Sequence, residues 1–323
     1  MRNVDVDLPQ GLHRVLASIG APLLASRWLR NRLLAPEIAQ SEMVTAGVAA
    51  FKDRFECGVA DQKPPSAEEH PVFVFSAGWG AGSTLLQRLL ISSGEAIVWG
   101  EPVDEAVTIH RMARSVATVR ADWPPREHFR AERASADLVG EWIANFAPDM
   151  SHYREAHRQF LLTWLGSSAH GIEGARWGLK EVRLTIDHAR YLKWLFPGAR
   201  FVFIYRDIYD SYLSIRRRPW TSVWPQYPAT PIVPFAQHWS HLLRGFIDGH
   251  EDVGGLMIKY EDLISGQVDL DTLARHAGVQ TLDGSLLERK VGGRSRGRRP
   301  LILPERLVLD SIGGDLRDEL GYR

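Results

Sequence analysis

This 323-residue sequence has a single cysteine, no net charge and no long hydrophobic run. Its one cysteine, Cys57, cannot form an internal disulfide framework or a cysteine-built metal site. No apolar run approaches the roughly 20 residues that a membrane-spanning helix needs. The charged opening MRNVDVDLPQ does not have the pattern of a signal peptide. We therefore expect a globular protein of the cytoplasm.

The charges balance, but their composition is uneven. The 39 basic residues equal the 39 acidic ones, so the field of the whole molecule gives no reason to expect a nucleic-acid partner. Of the basic residues, 33 are arginine and only six are lysine. Because the planar guanidinium suits phosphate, the places where arginines gather become informative.

Residues 1–60 are predicted to form an N-terminal helical extension. Apolar positions recur at helical spacing between residues 11 and 40 with arginines among them, which indicates one or two amphipathic helices. Such helices either dock on their own domain or contact a membrane surface peripherally, and the pattern leaves both open. The apolar positions are Leu12, Leu16, Ile19, Leu23, Leu24, Trp28 and Leu33.

Residues 61–323 alternate short, apolar, β-rich runs with helical segments. This alternation is typical of an α/β domain with a parallel sheet, in which ligands bind outside the carboxyl ends of the strands. We also predict a helical insertion at about 103–170 and a loop rich in Pro and Trp at about 219–235. The predicted strands are 71–75, 96–99, 176–181, 200–205 and 255–259.

A glycine-rich turn follows the first of these strands. The segment SAGWGAG (76–82) leads directly into a helix that starts with Ser83 and Thr84. Free N–H groups and the positive end of the helix dipole converge in such a turn, so it predicts an anion site. The Walker pattern would place a lysine after Gly82, and its absence weakens a triphosphate interpretation. A tight turn without a ligand is the other interpretation.

A second anion signal follows the fourth strand. Arg206 lies where the strand ends, and Ser214 lies eight residues later on the next helix. A guanidinium and a hydroxyl two turns apart can both face one phosphate. An arginine next to an aspartate, as in Arg206-Asp207, more often forms a local ion pair. The glycine-rich turn after the first strand is what favours a phosphate site at Arg206 instead.

Taken in order, these motifs resemble the sulfotransferases that use 3′-phosphoadenosine 5′-phosphosulfate (PAPS), in the branch of protein-tyrosine sulfotransferases and many bacterial enzymes. The resemblance spans about residues 71–300. It implies a P-loop-like three-layer α/β fold, in which helices flank a central parallel sheet, and transfer from PAPS without a metal. The motifs that carry it are PVFVFSAGWGAGSTLLQRLL, WGEP, WGLKEVR, FPGARFVFIYRDIYDSYLSI and KYEDL.

The resemblance also implies roles for single residues. Arg206 and Ser214 would hold the 3′-phosphate, and the basic segment 292–299 would fold over the nucleotide. The KYEDL motif is interpreted as structural. Residues expected to bind the nucleotide are Gly78, Trp79, Gly80, Ala81, Gly82, Ser83 and Thr84, which would hold the 5′-phosphosulfate, together with Arg206, Ser214, Arg294 and Arg296.

Three residues are expected to take part in the chemistry. Glu101, after the second strand, matches the carboxylate that removes the acceptor proton, and Lys180, at the end of the third, matches the lysine that stabilises the departing phosphate. Ser295 matches a serine that contacts the sulfate. Glu105 and His110 are alternative bases. A local ion pair with Glu181 is the alternative interpretation of Lys180.

One position departs from the family pattern. Gly80 stands where the family usually has Arg or Lys. Either a nearby arginine such as Arg88 or Arg183 substitutes, or the chain is a variant of low activity, or it no longer catalyses. If the cation is simply missing, Gly80→Arg should raise the rate of sulfuryl transfer.

The predicted reaction is transfer of a sulfuryl group from PAPS to a hydroxyl or amine of a small-molecule, glycan or lipid acceptor. The aromatic loop at about 219–235 could stack on such an acceptor or serve packing only. Two other functions remain open: a small-molecule kinase of the P-loop class, and a catalytically silent nucleotide-binding protein.

Overall fold

A computed structural model of the protein describes residues 41–56, 70–101, 107–129, 139–140, 142–148, 150–169, 176–216, 232–288 and 300–322. Several predicted features lie outside these residues. They are the amphipathic stripe up to residue 40, most of the aromatic loop, Glu105, and the basic segment with Arg294, Ser295 and Arg296.

The described strands form one parallel sheet. They are β1 Val72–Ser76, β2 Ala96–Trp99, β3 Arg176–Glu181, β4 Arg200–Tyr205 and β5 Gly255–Lys259. Their order in the sheet is β2-β3-β1-β4-β5. All four pairings are parallel, and every predicted strand agrees with the structure to within one residue. The α/β prediction with a central parallel sheet is therefore confirmed.

Register places the ends of the central strands together. Val74 of β1 lies opposite Lys180 of β3, and Ser76 lies opposite Ile204 of β4. Because the strands run the same way, the segments that follow β1, β2, β3 and β4 leave the sheet at one edge. That edge carries the glycine-rich turn and the candidate residues of the neighbouring strands.

Helices cover both faces of the sheet. The helices are α1 Glu42–Phe51, α2 Ser83–Ile91, α3 Thr108–Val116, α4 Tyr153–Leu161, α5 Ile186–Leu195, α6 Ile208–Ile215, α7 Ile232–Gly249, α8 Tyr260–Ile264, α9 Leu270–Ala277, α10 Ser285–Glu288 and α11 Leu303–Glu319. Short 3₁₀ or π turns lie at Lys52–Glu56, Arg126–His128, Met150–His152, Leu162–Gly166, Ser167–Ala169 and Glu251–Val253. None of the described helices is long and apolar enough to cross a bilayer.

Successive side chains of the strands point to opposite faces of the sheet and pack against two different layers of helices. In β1, Val72 and Val74 pack in one core with leucines of α2 and α9, whereas Phe73 and Phe75 pack in the other core with α5 and α7. The second core is rich in aromatic rings, such as the pair Phe203–Phe246 with centroids 4.7 Å apart. Burial of both faces explains why the predicted strands read as continuous apolar runs.

Helix α1 belongs to the aromatic core. Val48 and Phe51 of this helix are buried in it, and α1 packs on α3 and α5. At the start of α5, the Asp187 carboxylate accepts hydrogen bonds from the hydroxyls of Ser41 (3.0 Å) and Thr45 (2.6 Å). The part of the N-terminal extension that the structure describes is thus joined to the α/β domain.

Candidate functional site

The glycine-rich loop 77–82 turns tightly between β1 and α2. Gly78, Gly80 and Gly82 have φ angles of 79°, 81° and 94°, in the left-handed region that favours glycine. Ser76 closes the turn, since its hydroxyl donates to the Gly78 carbonyl at 2.7 Å. Because α2 begins with the next residue, its first N–H groups stand at the end of this loop, as an anion site requires.

The other predicted loop residues differ in exposure. Trp79, Ala81 and Ser83 are buried, whereas Thr84 is exposed. The Trp79 ring packs on the imidazole of His238 from α7, with centroids 4.7 Å apart. Of the two hydroxyls at the start of α2, that of Thr84 is therefore the one on the surface.

Two loop glycines touch neighbouring elements so closely that no side chain fits. A Cβ atom on Gly82 would lie 2.1 Å from the Tyr260 ring of α8. A Cβ atom on Gly80 would lie 2.5 Å from the backbone carbonyl oxygen of Ser211 in α6. The loop is thus packed between α6 and α8.

This packing overturns the expectation for Gly80→Arg. Any side chain at position 80 collides with the backbone of α6, so an arginine there would distort the loop rather than restore a cation. Of the two arginines considered as substitutes, Arg88 is exposed on α2, five residues after Ser83. Arg183 is buried in an ion pair with Glu181.

Arg206 contacts the glycine-rich loop. Its Nη1 donates to the Gly80 carbonyl at 3.4 Å, and its Nη2 donates to Asp210 Oδ2 at 3.3 Å. The guanidinium lies over the Tyr260 ring, 4.4 Å from its centroid. The buried Nε atom has no hydrogen-bond partner among the described residues; Glu261 Oε1 is 3.9 Å away. Arg206 therefore stands beside the loop with hydrogen-bonding capacity left over.

Tyr260 and Glu261 of the KYEDL motif belong to the same constellation. Tyr260 fills the space between Gly82 and Arg206. Glu261 accepts a hydrogen bond from the backbone N–H of Asp207 at 3.3 Å and one from the Tyr322 hydroxyl at 2.8 Å. These contacts agree with the interpretation of the motif as structural, and they place Tyr260 and Glu261 beside Arg206.

Ser214 lies on the helix that touches the loop. It is partly buried, three residues beyond Ser211 and therefore on the same side of α6. The hydroxyl of Ser211 is fully buried and has no hydrogen-bond partner among the described residues. We singled out Ser214 from its spacing to Arg206, whereas Ser211 carries no sequence signal.

Glu101 and Lys180 form an ion pair on the other side of the loop. Lys180 Nζ donates a hydrogen bond to Glu101 Oε1, and the two side chains are only 8% and 17% exposed. Burial raises the pKa of the Glu101 carboxyl above its usual range, and the attraction of Lys180 only partly offsets this. The alternative pairing of Lys180 with Glu181 is wrong, because Glu181 binds Arg183.

The edge of the sheet thus combines an anion-binding turn, a strand-end arginine and a lysine–carboxylate pair. A model described as the sulfotransferase family matches residues 71–281, which is more than half of the chain. The chain belongs to the sulfotransferase family. No curated protein matches the sequence.

Three solved structures are similar to this sulfotransferase at low sequence identity. The sulfotransferase domain from the Synechococcus PCC 7002 olefin synthase is 18% identical, with a TM-score of 0.43, over 82% of this chain and 99% of that one. The sulfotransferase domain from the curacin biosynthetic pathway is 15% identical, with a TM-score of 0.45, over 81% and 99%. Sulfotransferase STF9 from Mycobacterium avium is 15% identical, with a TM-score of 0.42, over 100% and 99%.

A second buried ion pair in the sulfotransferase joins Glu181, the residue after Lys180, to Arg183. Glu181 Oε1 accepts from Arg183 Nε at 2.9 Å, and Oε2 accepts from Nη2 at 2.6 Å. Burial would raise the pKa of the Glu181 carboxyl, but the charge and hydrogen bonds of Arg183 outweigh it and lower the pKa. This pair could not be predicted from the sequence, because Glu and Arg two residues apart at the end of a strand form no distinctive pattern.

Of the two alternative bases, His110 lies in the described part of the chain and Glu105 does not. His110 is buried, with its ring centroid 4.5 Å from that of His188. Arg216, which follows α6, donates to Glu305 of α11 at 2.9 Å and to the carbonyl of Pro300, the first described residue after the basic segment.

Proposed function

We propose that the protein transfers a sulfuryl group from PAPS to a hydroxyl or amine of a small-molecule, glycan or lipid acceptor. The observation that supports this most is the placement of Arg206 against the glycine-rich loop, with the Glu101–Lys180 pair at the same edge of the sheet. A phosphate at either end of one nucleotide would then meet a separate group of donors.

The residues present suit a donor with phosphate groups at two positions. The loop from Gly78 to Thr84 offers the backbone N–H groups at the start of α2 to the 5′-phosphosulfate. The unused Nε of Arg206 and the hydroxyl of Ser214 are proposed to hold the 3′-phosphate. Arg294 and Arg296, outside the described residues, are proposed to add charge over the nucleotide.

The chemistry that we assign to the pair follows from its burial. PAPS supplies the sulfuryl group, whose bond to the bridging oxygen breaks as its bond to the acceptor oxygen or nitrogen forms. The Glu101 carboxylate takes the acceptor proton, for which a raised pKa makes it a better base. The Lys180 ammonium turns from Glu101 and donates a hydrogen bond to the bridging oxygen of the departing phosphate. Ser295 is proposed to contact the sulfate.

The glycine-rich turn does not favour the kinase alternative, because no lysine lies between Gly82 and Ser83. The buried contact between Glu101 and Lys180 speaks against a silent binding protein, since both chemical groups are in place. A cytoplasmic location and a peripheral membrane contact through the N-terminal helices stay predictions.

Calorimetric titration with 3′-phosphoadenosine 5′-phosphate (PAP), the desulfated product, tests the proposal. We expect wild-type protein to bind PAP at low salt and Arg206→Ala to lose at least about tenfold in affinity, since hydrogen bonds to charged groups contribute about 1.5–3 kcal/mol. The matched control is Arg244→Ala, which removes an exposed arginine paired with Glu319 on the surface. Absence of PAP binding by wild-type protein, or Mg²⁺-dependent phosphoryl transfer from ATP, contradicts the proposal.

A further inference from the structure

His238 connects the phosphate loop to the end of the strand that carries Lys180. Its Nε2 lies 2.9 Å from the backbone carbonyl oxygen of Val182, two residues after Lys180. The same imidazole also contacts the loop, because it packs on the Trp79 ring with the two centroids 4.7 Å apart. A Cβ atom on Gly78 would lie 3.3 Å from His238 Cδ2, so the imidazole also borders the turn itself.

We propose that His238 is a positioning residue, which fixes the phosphate loop relative to Lys180 without contacting the substrates. This inference rests on the proposed function of the loop and of Lys180. His238 is only 4% exposed and contacts both the loop and the end of β3.

The protonation state of the His238 imidazole allows its hydrogen bond to Val182 to persist across the physiological pH range. A carbonyl oxygen can only accept, so Nε2 carries the proton in the contact with Val182. Burial lowers the pKa of His238 to about 3, so the ring is neutral throughout the physiological range. The connection therefore does not change when pH changes, and His238 is not a general base that gains and loses protons during turnover.

Loss of this connection should affect one end of the nucleotide more than the other. The loop faces the 5′ end of the donor, whereas Arg206 is assigned to the 3′ end. Displacement of the loop by about 1 Å can lower a rate about 100-fold, because reacting groups must meet within narrow limits. Binding of the 5′-phosphate should weaken for the same reason, while binding of the 3′-phosphate should not.

The test uses two probes, PAP and adenosine 3′-monophosphate, titrated into the full chain. In His238→Ala we expect the Kd for PAP to rise about tenfold and the Kd for adenosine 3′-monophosphate to stay within about twofold. His238→Gln, whose amide can still donate to Val182, should retain most of the PAP affinity. His238→Phe, which keeps a ring against Trp79 but cannot donate, should lose about as much as His238→Ala.

The matched control is His276, another histidine whose Nε2 binds a backbone carbonyl, that of Phe201, at 2.8 Å. It lies on α9 beside the start of β4, at the opposite end of the strands from the loop. His276→Ala should lower thermal stability and leave both Kd values unchanged.

Failure of the proposed function and failure of the positioning role of His238 give different titration results. If wild-type protein does not bind PAP, the proposed function fails. If wild-type protein binds PAP and a folded His238→Ala or His238→Phe binds it equally well, the positioning role is refuted and the proposed function stands. An equal loss for both probes in His238→Ala also overturns the inference, because that is the result of general destabilisation.

Discussion

Replacement of Gly82 by alanine tests how the phosphate loop is packed. The new Cβ atom would lie 2.1 Å from the Tyr260 ring, whereas carbon atoms in contact are separated by about 3.5–4.0 Å. The ring must therefore retreat by about 1.5 Å, and it lies against the Arg206 guanidinium. The φ angle of 94° adds about 1–2 kcal/mol of backbone strain for any residue with a Cβ atom. We expect Gly82→Ala to lower PAP affinity about tenfold or more and sulfuryl transfer about 100-fold.

Gly266→Ala is the matched control for backbone strain. Gly266 has a φ angle of 76°, and its Cβ atom would meet nothing within 4 Å. Urea unfolding should show a loss of about 1–2 kcal/mol for this variant, with normal PAP titration. Gly82→Ala should lose more stability than the control. If a folded Gly82→Ala binds PAP as tightly as Gly266→Ala does, Tyr260 does not couple the loop to Arg206 and the reasoning is refuted.

The two buried ion pairs lead to further predictions. Glu101→Gln should bind PAP normally and lower kcat by about 10²–10⁴, with loss of the acid limb of the pH–rate profile, because the base must be ionised; retained turnover, measured as PAP release from PAPS, would assign the base elsewhere. Arg183→Met leaves the Glu181 carboxylate buried without its cation, so urea unfolding should show a loss of about 3–5 kcal/mol, and a loss below about 1 kcal/mol would contradict the buried pairing. Because the folded-state pKa of Glu181 lies below its ordinary value of 4.5, its stabilisation is present above that pH and is lost as pH falls through the folded-state pKa. Urea unfolding between about pH 6 and pH 3 should therefore have a shallower pH dependence in Glu181→Gln, and equal slopes would exclude this contribution.

The sheet could be predicted from the sequence because both of its faces are buried. The run FVFI at 201–204 is apolar at every position, and all four side chains are buried, which separates it from an amphipathic helix. The placement of Glu101, Lys180 and Arg206 followed from the same pattern, since each lies at or just after the carboxyl end of a parallel strand. These are consequences of local pattern and of one topological rule.

Contacts between distant segments could not be predicted. That Gly80 lacks space depends on Ser211, 131 positions away, and the sequence alone suggested instead that a cation had been lost. The contact partners of Tyr260 could not be predicted either, because nothing in KYEDL indicates that its ring lies between Gly82 and Arg206. The partner of Lys180 was likewise ambiguous, since Glu181 is adjacent in sequence whereas Glu101 is adjacent in space.

The most direct test of the central claim compares PAP with adenosine 5′-monophosphate, which lacks the 3′-phosphate, by calorimetry on wild-type protein and Arg206→Ala. A PAPS-dependent sulfotransferase that holds the 3′-phosphate through Arg206 should bind PAP at least about tenfold more tightly than the monophosphate, and this preference should disappear in Arg206→Ala. Equal affinities in the wild-type protein, or a preference that survives in Arg206→Ala, would contradict the account.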